Sequence, residues 1–242
     1  YYPYMLDEGF TSKLVVGEDG EIWAQCTDPY TNETFLTKEL DATPILDQFV
    51  YEHPDFSLNG AKAIFSLTGY CGILGYRTQD DRDIAADSPD RPAFDAYRAS
   101  EIEAVKPVIA RLKETGWTFG SHTWGHIRLD TKSLQTVIND TERWADEVGS
   151  LVGPTQILFY PHGGRPDGDD WHTTGERFKY LQSQGFRIFA SVGTSSFSYV
   201  KEDISAVICD RLHPDGTTLR HSRSRYLQFY NVEDIMDTQV RP

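Results

Sequence analysis

The chain has 242 residues, a formal net charge of −14 at pH 7 and a sequence pI near 4.8. This acidic balance argues against nucleic acid and against anionic membrane surfaces as partners. No apolar run approaches the ~18 residues of a membrane-spanning helix, so no transmembrane segment is predicted. The three cysteines, Cys26, Cys71 and Cys209, show no CxxC spacing and are expected to be free or buried thiols.

The N-terminal part of the chain is predicted to be an extension of the core that follows it. Residues 1–10 are aromatic and interrupted by proline, which favours a loop. A β-hairpin is predicted from residues 13–16 and 21–25, with its turn at residues 17–20. Residues 26–39 are polar and indicate a surface extension.

An alternation of helices and strands is predicted to begin after this extension. Thr43 is expected to cap a helix that has Pro44 in its first turn and ends before His53. Residues 61–67 form a short apolar run bounded by glycines, which is typical of a buried strand.

Residues 70–97 interrupt the alternation with a long stretch rich in Asp, Pro and Arg. Loops of this length in compact domains are usually functional or disordered. We predict a lid or rim beside the active site, with Tyr76 and Arg77 as substrate contacts. The acidic cluster of Asp80, Asp81 and Asp83 lacks the glycine turn and distal Glu of an EF-hand, so a solvated loop is favoured over a Ca²⁺ site.

The rest of the chain alternates between apolar runs and amphipathic stretches, which predicts a parallel sheet covered on both faces. No GxGxxG follows a strand, and this many βα units favour a barrel over an open sheet. The predicted fold is therefore α/β, a distorted (β/α) barrel of ~7–8 strands in a single domain over residues 1–242. The further predicted helices cover residues 98–115, 131–149, 177–184 and 231–237, and the further strands cover residues 156–161, 186–192 and 207–212.

The stretch GWTFGSHTWGHIRL contains two histidines, His122 and His126, just after a predicted strand. In an extended chain their Cα atoms would lie ~13 Å apart, too far to share one small cation. In a helical turn they would come within ~6 Å, and two imidazole nitrogens could reach a metal at ~2.1 Å. Gly120 and Gly125 favour such a turn, and Ser121 is a good local cap. Spacing alone leaves open that the two histidines are part of an aromatic cluster.

Three segments in chain order, KAIFSLTG, SHTWGH and LFYPHGG, resemble the NodB-type polysaccharide deacetylases, carbohydrate esterase family 4. In that family a His-x-x-x-His pair and one upstream Asp hold a divalent metal. The resemblance therefore implies a divalent metal cofactor, with zinc favoured, on His122 and His126. The family's Asp-Asp motif, which supplies a metal ligand and the catalytic base, is expected to fall upstream of Tyr1.

The resemblance also assigns roles to residues after later strands. Its third motif, Arg-x-Pro-x-Gly, is matched by Pro161 and Gly163, but Phe159 stands at the arginine position. His162 is a candidate for proton transfer or substrate orientation, although a turn histidine bonded to backbone is an alternative. The residues expected to contact the substrate or the oxyanion are Tyr160, Pro161, Gly163 and Trp124, with Tyr70 and Trp171 as further aromatic contacts.

The family's last motif, Leu-x-His, supplies a general acid. Leu212 and His213 match it with the spacing short by one, which makes His213 a catalytic candidate with His221 as the fallback. A histidine on a surface loop is the alternative for either residue.

The resemblance implies metal-dependent hydrolysis of an N-acetyl, or another non-peptide carbon–nitrogen, bond on an acetylated sugar polymer or oligomer. It further suggests an extracellular or cell-envelope protein of a bacterium. Three alternatives stay open: an inactive relative that binds carbohydrate or metal, a hydrolase of a non-sugar amide, and an adhesion module without metal.

Overall fold

The computed structural model describes residues 8–167, 172–193 and 198–237. Within these residues the chain forms two compact units. Unit 1 contains residues 8–127 and 133–155, and unit 2 contains residues 128–132 and the described residues from 156 onward. The single domain over residues 1–242 stays a prediction, and most of the predicted N-terminal loop lies outside the described residues.

Unit 1 opens with an antiparallel sheet of three strands, β1 (Thr11–Val16), β2 (Ile22–Thr27) and β3 (Thr34–Thr37), in that order. The predicted hairpin is confirmed by the pairing of β1 with β2. The predicted surface extension contains β3, a strand that was not predicted. This strand is short and largely exposed, so it lacks the buried alternation by which strands are recognised in a sequence.

The first helix, α1 (Ala42–Glu52), lies close to its predicted position. The predicted cap is wrong, because Asp41 precedes the helix and accepts a hydrogen bond from the Thr43 backbone N–H at 2.8 Å. Thr43 is instead buried inside the first turn.

The second helix, α2 (Arg91–Glu114), begins seven residues before the predicted start at residue 98. Its first two turns carry no apolar stripe. They are held by Arg91, whose guanidinium binds the carboxylates of Asp95 at 2.8 Å and Asp80 at 2.7 Å. The long loop is therefore shorter than predicted.

The core of unit 1 lies around the parallel pair β4 (Ile64–Leu67) and β5 (Thr118–Ser121). Helix α3 (Leu134–Trp144) is capped by Ser133, the residue before it. It continues through the π-helical turn Ala145–Gly149 into α4 (Ser150–Val152). The apolar faces of α2, α3 and the π-helical turn pack in one cluster with Phe119 and Leu67; its helical members are Val105, Val108, Ile109, Leu112, Trp144 and Val148.

Unit 2 contains a mixed sheet whose strands lie in the order β6 (Ile157–Phe159), β7 (Ile188–Val192), β9 (Ala206–Arg211) and β8 (Ser198–Lys201). The first three strands in this order are parallel, and β8 is antiparallel to β9. The helices are α5 (Glu176–Ser183), α6 (Gly216–His221) and α7 (Val232–Ile235). Parallel strands with helices confirm the α/β class, while closure into a barrel stays a prediction.

Within the long loop of unit 1, Tyr76 is 4% exposed and its hydroxyl donates to the Leu14 carbonyl at 2.9 Å. The prediction that Tyr76 contacts substrate is therefore wrong. Burial raises its pKa to about 12.

The three cysteines are free, as expected. Across the described ranges, no helix is both long and apolar enough to cross a membrane.

Candidate functional site

The two predicted histidines lie in the turn that follows β5, and residues 122–126 are called the histidine turn below. The turn is joined to the end of β4 by three backbone hydrogen bonds. The His122 N–H donates to the Leu67 carbonyl at 2.8 Å, and the Trp124 carbonyl accepts from Gly69 at 2.9 Å and Tyr70 at 3.1 Å. The position of the histidine turn is thus fixed by the neighbouring strand.

The backbone of the histidine turn is not the helical turn that the spacing predicted. Thr123 and His126 both have positive φ, at 61° and 53°. Side chains within the turn stabilise this shape: Ser121 Oγ accepts from the Thr123 N–H at 3.2 Å, and Thr123 Oγ1 accepts from the Ile127 N–H at 3.0 Å. Non-glycine residues rarely adopt positive φ without such support.

The imidazole rings of His122 and His126 nevertheless meet, with their centroids 4.8 Å apart and their planes at 66°. Both side chains are half-buried. This separation fits two nitrogen ligands that approach one cation at ~2.1 Å each. In the part of the chain that the structure describes, no group of three His, Cys, Asp or Glu residues could hold a metal. The binding of a metal by His122 and His126 therefore stays a prediction.

Asp140, on the buried face of α3, fixes the middle of the histidine turn. Its Oδ1 accepts from the Trp124 N–H at 2.7 Å, and its Oδ2 accepts from the Gly125 N–H at 2.8 Å. The residue is 9% exposed, and this burial raises the pKa of its carboxyl group while the two N–H donors act to lower it. The sequence analysis missed Asp140; the available signal was a carboxylate three residues after Val137 on an otherwise apolar helix face.

The indole of Trp124 is held by a second carboxylate. Its Nε1 donates to Glu147 Oε2 at 2.9 Å, and Arg143 binds Glu147 Oε1 at 2.7 Å. The Arg143 guanidinium carbon lies 3.4 Å from the centre of the indole ring. One face of Trp124 is thus covered, and the predicted contact of its side chain with substrate stays a prediction.

The second predicted segment lies in unit 2, where residues 160–164 form the Pro161 turn at the end of β6. Tyr160 is 2% exposed, burial raises the pKa of its hydroxyl, and its backbone N–H donates to the Ala190 carbonyl at 2.8 Å. Its contact with substrate or the oxyanion stays a prediction. His162 is exposed with φ of 54°, and Gly163 has φ of 68°. The exposed His162 side chain therefore lies at the carboxyl end of β6, Gly163 is half-buried, and Pro161 is buried.

A network of polar side chains that the sequence analysis missed holds the Pro161 turn. Ser191 Oγ donates to the Gly163 carbonyl at 3.3 Å and accepts from Arg165 Nε at 3.1 Å. Arg165 also binds Asp210 Oδ1 at 2.9 Å, and the Asp210 side chain is only 8% exposed. The sequence signal for Arg165 was its position directly after Gly163 and Gly164.

The candidate general acid, His213, lies two residues beyond β9. Its side chain is 71% exposed, and its Nδ1 is 3.6 Å from Asp215 Oδ2. Asp215 caps α6 by accepting from the Thr218 N–H at 2.7 Å. His221 is exposed at the other end of α6. Trp171 lies outside the described residues, and the catalytic roles of both histidines stay predictions.

Comparison with known families matches residues 92–178 to the family described as polysaccharide deacetylase. The matched segment contains the histidine turn and the Pro161 turn, and the match confirms the predicted resemblance. No curated relative matches the chain. A solved structure assigned to the polysaccharide deacetylases, from Mycobacterium smegmatis, has 12% sequence identity and a TM-score of 0.31. That likeness covers 64% of this chain and 60% of the other, and at this TM-score it carries no argument.

Proposed function

We propose that this chain, whose residues 92–178 match the polysaccharide deacetylase family, hydrolyses the N-acetyl carbon–nitrogen bond of an acetylated sugar polymer or oligomer. The observation that carries the proposal is the meeting of the His122 and His126 rings at 4.8 Å in a turn that follows a parallel strand. Catalytic groups of α/β proteins gather at the carboxyl ends of such strands.

The proposed cofactor is a divalent metal, with zinc favoured, held by one nitrogen of each of these histidines. When bound, the metal supplies Lewis-acid activation of the acetyl carbonyl and of water. Asp140 and the end of β4 form hydrogen bonds with the backbone of the histidine turn. These bonds hold the two imidazoles at fixed positions relative to each other. Such outer partners typically change metal affinity by ~10–100-fold when they are removed.

We assign to a backbone N–H near His162 the stabilisation of the oxyanion, an interaction whose loss typically costs ~10²–10³-fold in rate. His162 and His213 are the candidates for proton transfer, because both imidazoles are exposed and lie at the carboxyl ends of strands in unit 2. The leaving amine requires a proton, and a histidine can donate one near neutral pH.

The test is metal content together with acetate release from N-acetylglucosamine oligomers, for the unmodified protein and for His122→Ala and His126→Ala. We expect about one divalent ion per chain, lost in both variants together with acetate release. His53→Ala is the matched control, because His53 is exposed just after α1 and outside both turns. Retention of metal and activity in the two alanine variants would overturn the proposal.

The second candidate function is carbohydrate binding without hydrolysis. It is favoured by Phe159, which stands where the resembled family has an arginine that supports its catalytic aspartate. A protein that holds metal and binds N-acetylglucosamine oligomers but releases no acetate would support this candidate instead.

A further inference from the structure

Arg211, the last residue of β9, lies across the carboxyl ends of the parallel strands of unit 2. Its Nε donates to the Ser191 carbonyl at 3.2 Å, and its Nη2 donates to the Tyr160 carbonyl at 3.3 Å. Its guanidinium carbon is 4.9 Å from the ring centre of Phe159, the last residue of β6. The guanidinium therefore contacts β6 and β7 as well as its own strand, next to the Pro161 turn.

This cation lacks a counter-ion within the described residues. No Asp or Glu there forms an ion pair with Arg211, and the neighbouring Asp210 is already paired with Arg165. Burial lowers the pKa of the guanidinium, because the charged form is solvated less well there than in water. A partly buried charge without a partner is costly, and contact with an aromatic ring offsets only part of that cost.

Arg187 provides the contrast. Its Nη1 also donates to backbone carbonyls, those of Gln182 at 2.6 Å and Phe186 at 2.7 Å. Gln182, however, is in the last turn of α5, where the carbonyls form the negative end of a helix. Arg187 also precedes β7, at the amino end of the sheet. The charge of Arg187 is thus accounted for by the fold, whereas that of Arg211 is not.

Arg211 ends β9 and so lies at the carboxyl ends of the parallel strands, the side on which α/β sheets bind their ligands. Among the described residues its Nη1 donates to no acceptor, while Nε and Nη2 are held by the two strand ends. Anchoring of this kind orients the planar guanidinium before any ligand arrives. A planar guanidinium with a free N–H edge matches the geometry of a carboxylate.

We propose that Arg211 binds a carboxylate group at this edge, and that the substrate is an N-acetylated saccharide that carries an acidic group. The proposal rests on the proposed function for the N-acetyl part of the substrate. The same carboxylate chemistry also fits acetate, the product of that reaction. The two sources can be told apart by affinity. A site for an acidic substrate would bind the acid more tightly than its neutral ester, whereas a site for acetate would bind the two equally.

The test is an NMR titration of the full chain, which reports binding and acetate release in the same sample. The probes are a disaccharide of N-acetylglucosamine and glucuronic acid, the methyl ester of that disaccharide, and sodium acetate. The loss of a hydrogen bond to a charged group predicts that the acid binds ~10–100-fold more tightly than the ester. Arg211→Gln should abolish this difference, and Arg211→Lys should keep part of it.

Arg187→Gln is the matched control, since it removes an equally charged side chain from the other end of β7; it should leave the difference unchanged. Acetate that binds the unmodified protein but not Arg211→Gln, without discrimination between acid and ester, would identify the product as the ligand and overturn the acidic substrate. Equal affinity for acid and ester, with acetate unaffected by Arg211→Gln, would overturn the proposal entirely. The acid–ester comparison on the unmodified protein keeps the test decisive if Arg211→Gln fails to fold.

The outcomes separate this inference from the proposed function. Acetate release from both disaccharides at equal affinity would leave a deacetylase without a carboxylate site. Discrimination that depends on Arg211, without any acetate release, would support the carboxylate site and overturn the hydrolytic function.

Discussion

The histidine turn and the Pro161 turn each follow a strand that pairs in parallel, but opposite charges hold them in place. The histidine turn is held by a carboxylate, since Asp140 accepts hydrogen bonds from two of its backbone N–H groups. The Pro161 turn is held by guanidinium groups, as Arg211 donates to the Tyr160 carbonyl and Arg165 binds the serine that contacts Gly163.

This difference has a chemical consequence. The Asp140 carboxylate, which binds the backbone between the two histidines, favours a cation nearby because it adds negative potential at short range. Guanidinium groups behind a turn favour the opposite, an anion or a developing oxyanion. We therefore expect that changing the support of either turn changes the charge of the ligand that this turn favours.

The largest effect is expected from Asp140→Ala. It leaves the N–H groups of Trp124 and Gly125 without acceptors at a partly buried position, where each unsatisfied group costs ~1–3 kcal/mol. We expect a loss of about 3–4 kcal/mol in the free energy of unfolding, together with a metal affinity at least ~10-fold weaker. Urea denaturation and metal titration measure the two quantities.

Glu142→Ala, an exposed carboxylate on the same helix, is the control for Asp140→Ala. It should change the free energy of unfolding by less than ~0.5 kcal/mol. If both variants lose the same stability, the hydrogen bonds of Asp140 do not support the histidine turn.

Gly69→Ala tests the other side of the same turn. A Cβ built on Gly69 would clash with Cδ1 of Trp124, whose indole is held by Glu147 and Arg143 and cannot move away freely. We expect a loss of about 2–3 kcal/mol in the free energy of unfolding, as for overpacking in a core. Gly216→Ala, with nothing within 4 Å and an ordinary φ, should be neutral in thermal denaturation.

The sequence predicted the parts of the fold that have a local pattern. The hairpin, the strands β4 to β7 and helix α5 were found near their observed positions, because alternation, apolar runs and flanking glycines mark them. Strands β3 and β8 were missed since both are short and mostly exposed. The start of α2 was missed because ion pairs of Arg91, and not an apolar face, hold its first turns.

The residues of the candidate site fall into the same two groups, those that a local sequence pattern marks and those that it does not. His122 and His126 were found from their spacing, which is a local property. Asp140 lies sixteen residues from the N–H group of Trp124 that it binds, and Arg211 reaches Tyr160 across fifty-one residues. Such supports depend on which elements pack together, and no local pattern in one sequence encodes that packing.

Gly163→Ala tests the backbone of the Pro161 turn. Gly163 has φ of 68°, and an added Cβ would lie 3.0 Å from the Val192 carbonyl oxygen. Gly185, with φ of 98° and open space around it, is the matched control for the strain of positive φ alone. We expect Gly163→Ala to lose about 1–2 kcal/mol and Gly185→Ala about 1 kcal/mol. Equal losses in urea denaturation would mean that the contact with Val192 has no effect.

The smallest effect is expected from Arg165→Met, which removes the partner of Asp210. The Arg165 side chain is 35% exposed, so solvent screens the pair and the loss should be about 1 kcal/mol. Because Arg165 holds Ser191, and Ser191 donates to the Gly163 carbonyl, acetate release should fall more than stability does. Arg165→Lys keeps the charge but loses the fork that binds both partners, so it should recover stability more fully than activity. Recovery of both to the same degree would show that Arg165 contributes charge alone, and that the Pro161 turn does not depend on its geometry.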